Sequence, residues 1–167
     1  MRLGTTPVHP VEGARPLLIG AAPGPNTKRE HPLLCLPRTS AGARLKDLMG
    51  LTSSQYIRTF DRINLVADFP GKTSRGDKFP LPQARATARA MQPLLAGRTV
   101  FLVGSGPRDA FGFTDLDWHT WTTCPEWGLT RYAAVPHPSG RNHWYNKPLH
   151  RQQAEEFWST FLDESSK

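Results

Sequence analysis

Four short apolar runs, each followed by a loop and then by a helix-forming stretch, constrain this chain more than any other feature. Pro16-Leu17-Leu18-Ile19-Gly20 and Thr99-Val100-Phe101-Leu102-Val103-Gly104 are too short for helices and close on glycine. The second is rich in β-branched residues and reads as the clearest buried strand. Arg62-Ile63-Asn64-Leu65-Val66-Ala67 and Tyr132-Ala133-Ala134-Val135 are the other two, the former with one conspicuous amide inside it. Helices are expected between and after them. One runs from a cap at Thr39 or Ser40 to about Met49 and is stopped by Gly50. Others are expected over Pro82 to Leu95, Pro107 to Phe111 and Pro148 to Leu162, the last with Ala154, Phe157, Trp158 and Phe161 along one side. This alternation predicts an α/β fold, a single-domain three-layer αβα sandwich around a central, mainly four-stranded parallel sheet. Residues 1–14 read as a loosely held arm and 15–167 as the domain, while residues 112–131 show no sustained period and receive no element.

Composition narrows the function classes. No apolar run approaches membrane-spanning length and no charged-then-apolar leader opens the chain, so a soluble, non-secreted protein of the cytoplasm or nucleoid is expected. Cys35 and Cys124 are too few for a metal framework and suit a reducing compartment. No metal, cofactor or obligate protein partner is implied, and a monomer is expected. Lys plus Arg number 21 against 14 acids, a net charge of +7. The cations are scattered along the chain, which fits a folded surface with one basic face turned toward a phosphate backbone.

Candidate chemistry gathers where the strands end. Val135-Pro136 delivers His137-Pro138-Ser139-Gly140-Arg141-Asn142, with Trp144, Tyr145 and Asn146 close behind. The two prolines restrict the backbone on both sides of His137. A polar loop at the carboxyl end of a strand is where open α/β sheets place their sites. The first strand likewise runs into Ala21-Ala22-Pro23-Gly24, a rigid loop that a ligand can approach closely. Other patterns fail on spacing. Gly71-Lys72-Thr73 lacks the earlier glycine of a phosphate-binding loop, where Val66 stands. Gly104-x-Gly106 has Asp109 in place of the third glycine of a dinucleotide site, and both segments read as turns.

Taken in order, Gly20-Ala21-Ala22-Pro23-Gly24, Asn64 and His137-Pro138-Ser139-Gly140-Arg141-Asn142 resemble the motifs of the uracil-DNA glycosylase superfamily. The resemblance spans roughly Leu17 to Leu162. The last motif, with Asn146-Lys147 after it, is similar to the single-strand-selective monofunctional branch. The first, with Ser40-Ala41-Gly42 downstream, is closer to the thermophilic iron–sulfur branch, whose four cluster cysteines are not matched by the two here.

What the resemblance implies is a protein that extrudes a base from DNA and hydrolyses its bond to the sugar. His137 would stabilise the oxyanion of the departing base and Asn64 would read the pyrimidine edge. Gly20, Ala21, Ala22, Pro23 and Gly24 would shape the pocket, with Leu34 and Cys35 at the level of the base. Ser139, Gly140, Arg141, Asn142 and Lys147 would contact DNA, Arg141 as the wedge that fills the vacated stack. Two departures stand out. The family holds its attacking water with Asp or Asn at the Ala22 position or Glu at the Ala21 position, and both are alanine here. Where it stacks an aromatic on the base, this chain offers Leu33, Leu34, Cys35 and Leu36. Either Asn26, Glu30 or Asp68 takes over the water, or the substrate differs, or hydrolysis is lost. Two rivals follow: a module that binds DNA or a modified base without cleaving, and an enzyme of modified-nucleotide metabolism.

Overall fold

The computed structural model describes residues 13–25, 32–124, 129–139 and 142–167. Most of the expected arm, together with Asn26, Glu30, Gly140 and Arg141, lies outside the described residues. The elements in order are β1 (Leu17–Gly20), α1 (Ala41–Leu48), α2 (Ser53–Thr59), β2 (Asp61–Asn64), β3 (Lys72–Thr73), β4 (Gly76–Asp77) and α3 (Leu81–Met91). They continue with β5 (Thr99–Val103), α4 (Ser105–Ala110), β6 (Trp121–Thr123), β7 (Arg131–Val135) and α5 (Pro148–Ser165). The main sheet has the order β2-β1-β5-β7-β6. Its first four strands are parallel, as expected, and β6 is an antiparallel edge strand paired with β7.

Alternation along the strands divides the core into two layers. Leu17, Ile19, Val100, Leu102 and Ala134 face α3 and α4, where they pack with Ala84, Ala88, Met91 and Phe111. Leu18, Phe101, Val103, Ala133 and Val135 face α1, α2 and α5. On that side Phe101 stands among the rings of Trp158 and Phe161, at centroid distances of 4.6 and 4.8 Å. The chain is thus an αβα sandwich. Among the described residues no helix is long and apolar enough to cross a membrane.

Several boundaries differ from expectation, each for a local reason. β2 ends at Asn64 rather than Ala67, although Leu65 and Val66 still donate their N–H groups to the carbonyls of Gly20 and Ala21, both at 2.9 Å. Regular helix α3 stops at Met91, and a 3₁₀ turn over Gln92–Leu95 follows, because Pro93 has no N–H to give. α2 was not expected. It starts with a reciprocal capping box in which Thr52 and Gln55 satisfy each other's backbone N–H. β6 arises inside residues 112–131, and the β3–β4 hairpin inside the loop after β2.

From β1 the chain moves outward to β2, then crosses back to β5 on the other side of β1. The gap between β1 and β5 is therefore the switch point of the sheet, and crevices for ligands open at the carboxyl ends there. At the opposite end of the strands, Arg98 pairs with Asp61 in a buried ion pair and donates from Nε to the Arg15 carbonyl at 2.7 Å.

Candidate active site

The two strands flanking the switch point both lead to a glycine. Gly20 is the last residue of β1, and Gly104, at φ +98°, follows β5. Each glycine is needed for what lies over it. A Cβ on Gly20 would fall 2.5 Å from Asn64 Oδ1, and one on Gly104 would fall 3.3 Å from His137 Cβ. The Asn64 amide, arriving from β2, and the His137 ring, arriving from β7, thus stand over adjacent strand ends. Those backbones are about 4.8 Å apart, so one small planar ligand can touch both groups.

The imidazole is held in one form. Its Nδ1 accepts the Ser139 backbone N–H at 3.2 Å, which places the proton of the neutral ring on Nε2. Burial lowers the His137 pKa, so the ring is neutral near pH 7. Among the described residues Nε2–H donates to nothing. The loop is fixed from outside as well: Asn142 Nδ2 donates to the His137 carbonyl at 2.8 Å, and Tyr145 donates its hydroxyl to the Pro136 carbonyl at 2.6 Å. Asn142 Oδ1 accepts the Trp144 N–H at 3.1 Å and so caps the 3₁₀ turn over His143–Asn146.

Asn64 is 5% exposed, yet among the described residues its amide makes no hydrogen bond. A buried amide kept only to satisfy neighbouring backbone groups would be bonded to them. An amide offering both a donor and an acceptor at the switch point is suited to the edge of a heterocyclic base.

Leu33 is the residue of this segment that stands beside Gly20. Its Cγ would lie 3.4 Å from a Cβ on Gly20. Its φ of +49° is unusual for a branched side chain and is held by several contacts. Tyr56 donates its hydroxyl to the Leu33 carbonyl at 2.9 Å, and Ser40 donates to the Leu34 carbonyl at 2.9 Å. Gly42 lets α1 press against this backbone, since a Cβ there would fall 2.1 Å from the Leu33 carbonyl oxygen. Cys35 is instead packed in the core with Leu45 and Tyr56.

The remaining expected site residues are spread around this centre. Ala21, Ala22 and Gly24 are half-buried and Pro23 buried in the loop after β1, and neither alanine offers a polar group to a water. Asp68 is exposed on the segment after β2, and Lys147 is exposed at the cap of α5. Ser139 lends its backbone to His137, and the Asn142 amide is spent on holding the loop. Gly104, read from sequence as part of a turn, supports the imidazole, and Tyr145 anchors the loop entrance. Among the described residues no group of three or more His, Cys, Asp or Glu side chains is placed to hold a metal ion. No protein-family model and no curated protein matches the chain.

Proposed function

We propose that this protein binds DNA, receives an extruded uracil or modified pyrimidine between Asn64 and His137, and hydrolyses its N-glycosidic bond, as a member of the uracil-DNA glycosylase superfamily. One observation carries the reading: a neutral imidazole with its proton on Nε2 and a buried amide without a partner among the described residues stand over adjacent strand ends. When the bond between the sugar carbon and the base nitrogen breaks, its electron pair moves onto the base and its carbonyl oxygen. Nε2–H donates a hydrogen bond to that developing oxyanion, and the depressed pKa of the ring suits donation rather than transfer of a proton. The Asn64 amide pairs with the base edge, accepting its N–H and donating to its carbonyl. Leu33 supplies an apolar wall where an aromatic would otherwise stack. Water then adds to the sugar carbon and releases its proton to solvent, since Ala21 and Ala22 carry no base to take it.

Those two alanines favour one other reading, a module that captures an extruded base and does not cleave. Labelled oligonucleotides carrying uracil, hydroxymethyluracil or hypoxanthine separate the two. Alkali-sensitive abasic sites that disappear in His137→Ala support the enzyme. Retention of the modified strand with no abasic product supports the binder. Failure to prefer any of these strands over unmodified DNA overturns both.

A further inference from the structure

A concavity of about 220 Å³ opens beside the His137 loop between α1 and the start of α5. Its walls combine side chains of α1 and α5 with Pro138, Ser139 and Asn142 of the His137 loop. Arg44 reaches it from α1 and Arg151 from α5, while Ser139 and Asn146 line the side nearer His137. The guanidinium groups are anchored at one nitrogen only. Arg44 Nε donates to the Thr39 carbonyl at 3.4 Å, and Arg151 Nε pairs with Glu155 at 3.0 Å. Among the described residues the terminal nitrogens of both arginines have no partner. Asp47 also borders the pocket, but its carboxylate is paired with Lys46 at 2.8 Å.

The local sequence of α5 runs against its own dipole. This 18-residue helix has no acidic residue in its first turn and no side-chain cap, and Lys147 stands at its cap with Arg151 just inside. Cations at the positive end of a helix repel it, unless an anion sits between them. Two forked donors from separate helices, with a serine hydroxyl and an amide beside them, match the oxygens of a phosphate group.

We propose that this pocket is a phosphate subsite and that its natural occupant is a phosphodiester of the strand whose base enters the bay between Asn64 and His137. The phosphate chemistry stands on the pocket itself, whereas the strand as its source rests on the glycosylase reading. A phosphodiester held here by arginines from α1 and α5 fixes the strand against the body of the protein, so that extrusion of the base does not carry the backbone away.

The test compares wild type with Arg44→Gln, Arg151→Gln and, as a control, Arg85→Gln on α3 in the opposite helical layer. All three arginines are exposed, so the variants should fold, which circular dichroism checks. Each pocket variant is expected to bind a short uracil-containing single strand about tenfold more weakly. The slope of log affinity against log salt should fall by about one in each. Arg85→Gln should do neither, and inorganic phosphate should compete with the strand in wild type but not in Arg44→Gln. Wild-type affinity and slope in both pocket variants, or an equal loss in Arg85→Gln, overturns the subsite. If no oligonucleotide binds wild type but inorganic phosphate or a nucleoside monophosphate binds and is lost in Arg44→Gln, the subsite stands and the DNA reading fails.

Discussion

At the scale of single residues, the site depends on two places where a side chain is missing. Gly20→Ala puts a methyl group 2.5 Å from Asn64 Oδ1, and the amide is the part free to move. The variant should therefore fold with near-normal stability while its affinity for a uracil-containing strand falls about tenfold, the worth of one to two buried hydrogen bonds. Equilibrium binding alongside urea unfolding checks this, and unchanged affinity in a folded variant would place Asn64 outside the site. Gly104→Ala meets both a positive φ and the His137 ring, so it should cost stability as well as activity. On the proposed glycosylase reading, replacement of His137 removes an oxyanion donor and should lower the single-turnover rate by roughly 10²–10³. Much at this scale was legible. Asn64 was conspicuous as the amide in an apolar strand, and His137 as a residue fenced by two prolines. The reach of Leu33 was not, because it depends on a positive φ held by Tyr56, Ser40 and Gly42, none of which is its neighbour in sequence.

At the scale of elements, β1, β5 and β7 announce themselves, since burial on both faces leaves a nearly continuous apolar run, whereas β2 carries only Ile63 as an apolar residue and is signalled by Leu65 and Val66 just beyond its end. β6 could not be read that way: it is three residues long, only partly buried, and defined by its pairing with β7. The start of α2 did carry a signal, Thr52 with Gln55 three residues on, but its helix offers only Tyr56 to the core and so shows no apolar period. The loop over residues 32–36 is an element in its own right, pinned between α1 and α2. Gly42→Ala should be the most damaging small substitution in this part of the molecule, because the new Cβ meets backbone that cannot rotate away. A loss of about 1–3 kcal/mol is expected, together with increased proteolysis within residues 32–40. A Gly42→Ala protein as stable as wild type would show that α1 does not bear on this loop.

The whole molecule carries +7, and its strand-end site lies beside the arginines of α1 and α5. A loss of stability in acid is expected in part from a ring outside the proposed base-binding groups. His119 leads into β6 with a φ of +61°, between the rings of Trp144 and Phe157 at centroid distances of 5.3 and 5.0 Å. Both its ring nitrogens are buried, with no hydrogen-bond partner among the described residues. Burial first, and then the charge of His150, lowers its pKa from 6.5 to about 4. The unfolded chain therefore binds more protons than the folded one between these two values. The contribution is fully present above pH 6.5, is lost as the pH falls, and levels off below about pH 4. A tenfold difference in proton affinity between the folded and unfolded ring corresponds to about 1.4 kcal/mol. Between pH 7.5 and pH 5, protonation of the unfolded ring therefore removes about 2 kcal/mol of stability. His137, whose pKa is also depressed by burial, adds to the wild-type loss with the same sign. The contribution of His119 is isolated by His119→Phe, which keeps the ring contacts and removes the titration. Urea unfolding at the two pH values should show wild type losing about 2 kcal/mol more than the variant. An equal loss in both proteins would mean that His119 gains its proton without cost to the fold.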